Sequence, residues 1–190
     1  MTLSVSSPIS LDIIDKLTAG DSLLLSGVIY TARDAAHRKL VTALEEGNKL
    51  PFELAGQTLY YMGPSPVRPG RASGAAGPTT SGRMDAYTPP LLAAGLRVMI
   101  GKGDRSAEVK EAMRRSRAIY LAATGGAGAL LAKAVQKAEV IAYPELGPEA
   151  VLRLEVENMP VIVAYDSSGG DLFAAGRAKY SQKRDEGGQQ

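Results

Sequence analysis

The chain has 190 residues, 45% hydrophobic and 22% charged, which suits one globular domain and argues against global disorder. Its net charge of +2 is too small to imply nucleic-acid binding, and no basic cluster with interleaved aromatics occurs. With no cysteine and a single histidine, His37, disulfides, thiolate-held iron–sulfur clusters and most structural zinc sites are excluded, so transition-metal chemistry must come from another chain.

The first residues have no basic stretch leading into an apolar run, so no signal peptide is expected. No apolar run reaches the ~18 residues of a membrane span, and the expected compartment is the cytoplasm. Residues 2–5 predict a short strand, 10–17 a short helix, and 22–30 a buried aliphatic strand. Thr31, with Asp34 three residues on, resembles a capping box and predicts a helix through His37 to a stop at Gly47. Residues 57–62 read as a strand. The stretch 63–82 is dense in glycine and proline, too much so for a regular element, and long irregular loops are usually functional or mobile. A helix over 83–95 is expected to bend or restart at Pro89-Pro90.

Further on, 97–100 predicts a strand, 106–115 a helix capped by Ser106, and 118–123 a strand. Thr124-Gly125-Gly126 opens a helix expected to end near Ala138, and 140–143, 151–156 and 160–165 read as strands. Strands alternating with helices predict a mixed α/β layer fold with crossover connections. One domain is expected over 1–178, followed by a polar tail at 179–190 that should fray.

The strongest local motif is Gly77-Pro78-Thr79-Thr80-Ser81-Gly82-Arg83-Met84-Asp85. Small hydroxylated residues between glycines expose backbone N–H groups, a following helix start would add its positive end, and Arg83 can grip a carboxylate or phosphate bidentately. The same composition also suits a plain flexible loop. Arg33 falls in a helix's first turn directly after a strand, where ligands of α/β folds gather, yet it could equally pair with Asp34 or another carboxylate. His37 reads as a packing histidine. Lys102, between Gly101 and Gly103 at a strand end, can approach a ligand or be an ordinary turn lysine, and it lacks the spacing of a nucleotide P-loop.

Together, Arg33-Asp34-Ala35-Ala36-His37, the 77–85 motif and Gly101-Lys102-Gly103 resemble the small (β) subunit, or C-terminal domain, of the class I iron–sulfur fumarases and tartrate dehydratases. Thr124-Gly125-Gly126-Ala127 adds weaker support. The resemblance implies a swivelling β/β/α-type single domain with a mixed sheet. It also implies a [4Fe–4S] cluster held by a partner α subunit, with one open iron as Lewis acid and none bound by this chain, in an expected α2β2 assembly. The implied reaction is the reversible hydration of fumarate to S-malate. By position, Arg33, Thr80, Arg83 and Lys102 would bind substrate, and Thr79 would transfer the proton, with Thr80 as the neighbouring alternative. An L(+)-tartrate dehydratase or mesaconate hydratase β subunit is a further possibility, as is a non-catalytic organic-acid binding module.

Overall fold

A computed structural model describes residues 2–67 and 69–186. Its strands are β1 (Thr2–Ser7), β2 (Ser22–Thr31), β3 (Thr58–Tyr60), β4 (Val98–Gly101), β5 (Ile119–Ala122), β6 (Val135–Ala142) and β7 (Val151–Tyr165). The helices are α1 (Leu11–Ile14), α2 (Asp34–Glu45), α3 (Thr88–Ala93), α4 (Ala107–Arg115), α5 (Gly128–Lys133) and α6 (Leu172–Glu186). The sheet order is β1-β2-β3-β4-β5-β7-β6, and a further pairing of β2 with β7 closes β2, β3, β4, β5 and β7 into a five-stranded, barrel-like ring. β1 and β6 branch off it.

β1 to β5 run parallel, whereas β7 is antiparallel to β2, β5 and β6. The mixed-sheet α/β single domain expected from the sequence is therefore the architecture observed. The short middle strands β3, β4 and β5 are buried almost throughout, because both their faces are covered. Tyr60, Val98, Ile100, Ile119 and Leu121 turn into one core with Leu23, Leu25, Leu154 and Val163. The alternate residues Leu59, Met99 and Tyr120 join Leu40, Leu91 and Val109 of α2, α3 and α4 in a second core. Each fully buried aliphatic contributes on the order of 1.5–3 kcal/mol.

Local chemistry explains most boundaries. Ser106 caps α4 as expected, its Oγ accepting the Val109 N–H at 3.2 Å. Pro89 and Pro90 begin a fresh helix rather than bend one, because α3 carries them in its first turn and a separate 3-10 turn (Ser81–Met84) precedes it. Thr31 is not a cap: it completes β2, and its hydroxyl accepts the Leu152 N–H at 3.1 Å. The helix expected to reach Ala138 stops at Lys133, and β6 starts at Val135. The two strands expected over 151–165 are one, β7, which continues past Asn158 at φ 51°. α6 runs from Leu172 across the boundary at position 178 into the expected polar tail, and residues 187–190 of that tail lie outside the described residues.

Candidate active site

Because β2, β3, β4 and β5 are parallel, their carboxyl ends share one edge. Arg33 follows β2, the long loop follows β3, Lys102 follows β4 and the 123–127 turn follows β5. This is the edge at which ligands of α/β sheets gather. The antiparallel β7 starts beside the end of β2, with Arg153 opposite Tyr30, so the 3-10 segment before it (Pro144–Glu149) arrives at the same edge.

The long loop is tied down by its own backbone. Thr79 N–H donates to the Tyr61 carbonyl at 2.7 Å, Lys102 N–H to the Thr79 carbonyl at 3.4 Å, and Ser81 N–H to the Lys102 carbonyl at 2.9 Å. Thr79, Thr80 and Ser81 thus lie alongside Lys102. These amides are occupied inside the protein, and the next element is a short 3-10 turn, so the expected cradle of N–H groups with a helix dipole does not form at Thr79 or Ser81. Attraction for an anion falls to side chains instead. Gly101 permits this packing: a Cβ there would stand 1.9 Å from Ser81 Oγ, which is bonded to Tyr120 Oη at 2.8 Å.

Beneath the loop lies an ion pair. Asp85 accepts from Arg105 Nε at 2.7 Å with one oxygen and from the Ser106 N–H at 2.7 Å with the other. The Arg105 side chain is fully buried, donates to Thr88 Oγ1 at 2.7 Å, and sits over the Tyr61 and Tyr120 rings at 5.3 Å from each centroid. Asp104 reaches the other way, to Tyr165, Lys110 and Arg177. Desolvation would raise its carboxyl pKa, but hydrogen bonds from Tyr165, Lys110 and the Arg105 amide hold it below the usual carboxylate range. The turn carrying Lys102 is therefore pinned on both sides.

Arg33 precedes α2 with extended backbone and lies over Gly63, where a Cβ would stand 2.9 Å from Arg33 Cδ. Its Nη2 is 3.4 Å from Glu149 Oε1 and 3.8 Å from Asp34 Oδ2, so the pairing with neighbouring carboxylates is realised. Arg83 Nε donates to Asp34 Oδ1 at 2.8 Å, and the Arg83 side chain remains 52% exposed. Lys102 is half-buried beside Gly125 and has no ion pair among the described residues. Thr79 is half-buried and Thr80 exposed. Asp34 joins the two arginines, the loop backbone joins the threonines to Lys102, and all five expected residues meet at one edge. Glu149 was not legible in the sequence, since nothing local announces a residue 114 positions from its backbone partner Ala35. Asp85 stands in the 77–85 motif, but its pairing with Arg105 has no sequence signal.

His37 is fully buried, its Nδ1–H donating to the Arg33 carbonyl at 2.9 Å, while Nε2 has no hydrogen-bond partner among the described residues. Burial pushes its pKa down to about 4, so the ring is neutral at pH 7 and serves packing, against Tyr61 and Tyr87. Between pH 6.5 and about 4 the unfolded chain binds a proton that the folded chain refuses. Stability from this group is full above pH 6.5 and is lost as pH falls towards 4, by about 3 kcal/mol in all. Chemical denaturation across that range should therefore show a steeper acid loss in the wild type than in His37→Gln, and equal slopes would refute it.

A cavity of about 590 Å³ lies elsewhere, between the loop's Ser65–Ala75 end and α5 with the start of β6. Clustered cations and converging strand ends mark the site better than volume, because the cations stand at an open edge. Among the described residues no group of three or more His, Cys, Asp or Glu stands together. With no cysteine in the chain either, these residues do not fit an iron–sulfur cluster as ligands.

The family model described as fumarase C-terminus matches residues 1–176. The chain belongs to this fumarase C-terminus family. It is 41% identical over 153 residues to the aerobic class I fumarate hydratase of Escherichia coli K12, covering 80% of this chain and 28% of that protein. It is 38% identical over 157 residues to fumarate hydratase 2 of Leishmania major, covering 82% and 28% respectively. With a protein of Methanocaldococcus jannaschii provisionally named L(+)-tartrate dehydratase subunit beta, it shares 38% over 179 residues, 91% of this chain and 92% of that one. The chain thus spans little more than a quarter of these two fumarases and nearly all of the subunit-sized member. Among the described residues no helix is long and apolar enough to cross a membrane.

Proposed function

We propose that this chain is the β subunit of a class I hydro-lyase that hydrates fumarate reversibly to S-malate together with a cluster-bearing α subunit, in an α2β2 enzyme of the cytoplasm. The observation that carries this is the meeting of Arg33, Thr79, Thr80, Arg83 and Lys102 at the carboxyl edge of four parallel strands. Three cations suit a dianion, and they do more as the reaction proceeds. Removing the proton from the carbon next to a carboxylate moves charge into that carboxylate, where fixed cations stabilise it without reorganising.

Arg83 presents the outer edge of its guanidinium to one carboxylate, and Lys102 adds a point charge from the neighbouring turn. Thr79 Oγ1 exchanges the proton, with exposed Thr80 as the alternative. A threonine hydroxyl is a weak base in water, and among the described residues nothing hydrogen-bonds to it, so its activation comes from the assembled site. The partner's [4Fe–4S] cluster would supply a Lewis acid. This chain's side chains bind and orient the substrate and move the proton.

L(+)-tartrate is the second reading, favoured by the near-complete match in length to the relative provisionally named as a tartrate dehydratase subunit. Mesaconate is a third, since one methyl group commonly changes selectivity by only ~1–3 kcal/mol. Anaerobic kinetics of the two-chain enzyme with fumarate, mesaconate and L(+)-tartrate decide among them. The highest kcat/KM for fumarate is expected. Preference for tartrate or mesaconate would move the assignment to that substrate, and tight anion binding with no turnover of any would leave a non-catalytic binding module.

A further inference from the structure

The cations of the site are not free arms, because two of them are held by carboxylates in an alternating row: Glu149, Arg33, Asp34, Arg83. Glu149 Oε2 accepts the Ala35 N–H at 2.9 Å, which fixes the carboxylate on the first turn of α2, and its Oε1 faces Arg33 Nη2 at 3.4 Å. Asp34, the first residue of α2, accepts Arg83 Nε at 2.8 Å. The Asp34 side chain is only 26% exposed, against 52% for Arg83, so the anchored member of the pair is the carboxylate. Occupying Nε leaves Nη1 and Nη2 as the edge of Arg83 that can meet a carboxylate in two parallel hydrogen bonds. Neither nitrogen has another partner among the described residues. Among the described residues Asp34 Oδ2 and Arg33 Nε are both buried without a hydrogen-bond partner, which leaves polar valences open at the junction of the two arginines.

We propose that Asp34 is a positioning residue for dicarboxylate binding: it holds Arg83 by Nε so that the guanidinium's outer edge faces substrate, while Glu149 does the same service for Arg33. The inference rests on the dicarboxylate reading of the site. An acidic residue in a helix's first turn also stabilises that helix, so the test must separate aiming from folding. Substrate carboxylates are bound before and during the reaction, so losing the aim raises KM more than it lowers kcat.

In the assembled two-chain enzyme, Asp34→Ala should raise KM for the turned-over dicarboxylate by about tenfold, with kcat within about threefold. Asp34→Asn, which keeps an oxygen to accept Nε, should recover part of that loss. Glu149→Gln, which can still accept the Ala35 N–H, should raise KM by a smaller factor. The decisive comparison is the double variant Asp34→Ala with Arg83→Ala, whose KM should equal that of Arg83→Ala alone if Asp34 acts through Arg83. Additive effects in the double variant, or a fall in kcat with KM unchanged, would overturn the positioning role. If Arg83→Ala raises KM and Asp34→Ala does not, this inference fails and the function stands. If Arg83→Ala leaves KM unchanged, the dicarboxylate reading itself fails.

Discussion

Asp85→Ala is expected to destabilise the chain by roughly 3–5 kcal/mol, seen as a lower midpoint of chemical denaturation. The substitution leaves the fully buried Arg105 guanidinium without its counter-charge and strips the Ser106 N–H of its acceptor. The lost attraction is only part of the effect. The larger part is an ionised group kept from water with nothing opposite it, because arginine does not escape by deprotonating. A companion variant isolates that cause: Asp85→Leu combined with Arg105→Met removes both charges and should be more stable than Asp85→Ala. A loss under about 1 kcal/mol for Asp85→Ala would mean that Arg105 reaches water.

Lys102→Ala should lower kcat/KM of the assembled enzyme by about 10²–10³-fold while leaving the denaturation midpoint of the chain nearly unchanged. The two halves of that expectation come from one observation. Lys102 sits in a turn held from both sides by Ser81, Asp104 and Arg105, yet its own ammonium has no ion pair among the described residues. A rigid mount beneath an unpaired cation is expensive to build for a merely solvated lysine. Steady-state kinetics beside the denaturation curve test it, and unchanged kinetics would return Lys102 to the status of a turn residue.

Much of the architecture was legible because strands and helices announce themselves by period and punctuation. The stretch 22–30 was rich in aliphatics, Ser106 stood where a cap belongs, and the proline pair marked a bend or a restart, of which the restart is observed. The end of β6 was read as a strand over 140–143, but its start was hidden for a physical reason. It pairs only with β7 and is largely exposed, so its Ala-, Lys- and Glu-bearing sequence shows helix formers and no buried face. Tertiary pairing overrode local preference. The gap at 157–159 separated two expected strands, yet Asn158 takes a left-handed conformation and β7 runs on. Thr31 had the spacing of a cap, but pairing with β3 extends β2 through it.

The site divides in the same way. Arg33, Arg83 and Lys102 were singled out because motifs keep them near glycines and strand ends, and Thr79 because the resemblance implies it. Their holders were not. Asp34 is local to Arg33 but lies 49 positions from Arg83, and Glu149 comes from a 3-10 segment that carries no periodic signal. The crossovers that place them at one edge are properties of the sheet order, which no short window of sequence contains.

If these residues form half of an active site, a cluster-bearing partner must complete it, and neither chain should work without the other. The anaerobic rate of fumarate loss, followed by absorbance, settles this for the chain alone, the partner alone and the two combined. Turnover is expected only in the combination, and Arg83→Ala in this chain should lower its rate at sub-saturating fumarate by raising KM. Hydration by this chain alone, or full activity of the cluster-loaded partner without it, would refute the shared site.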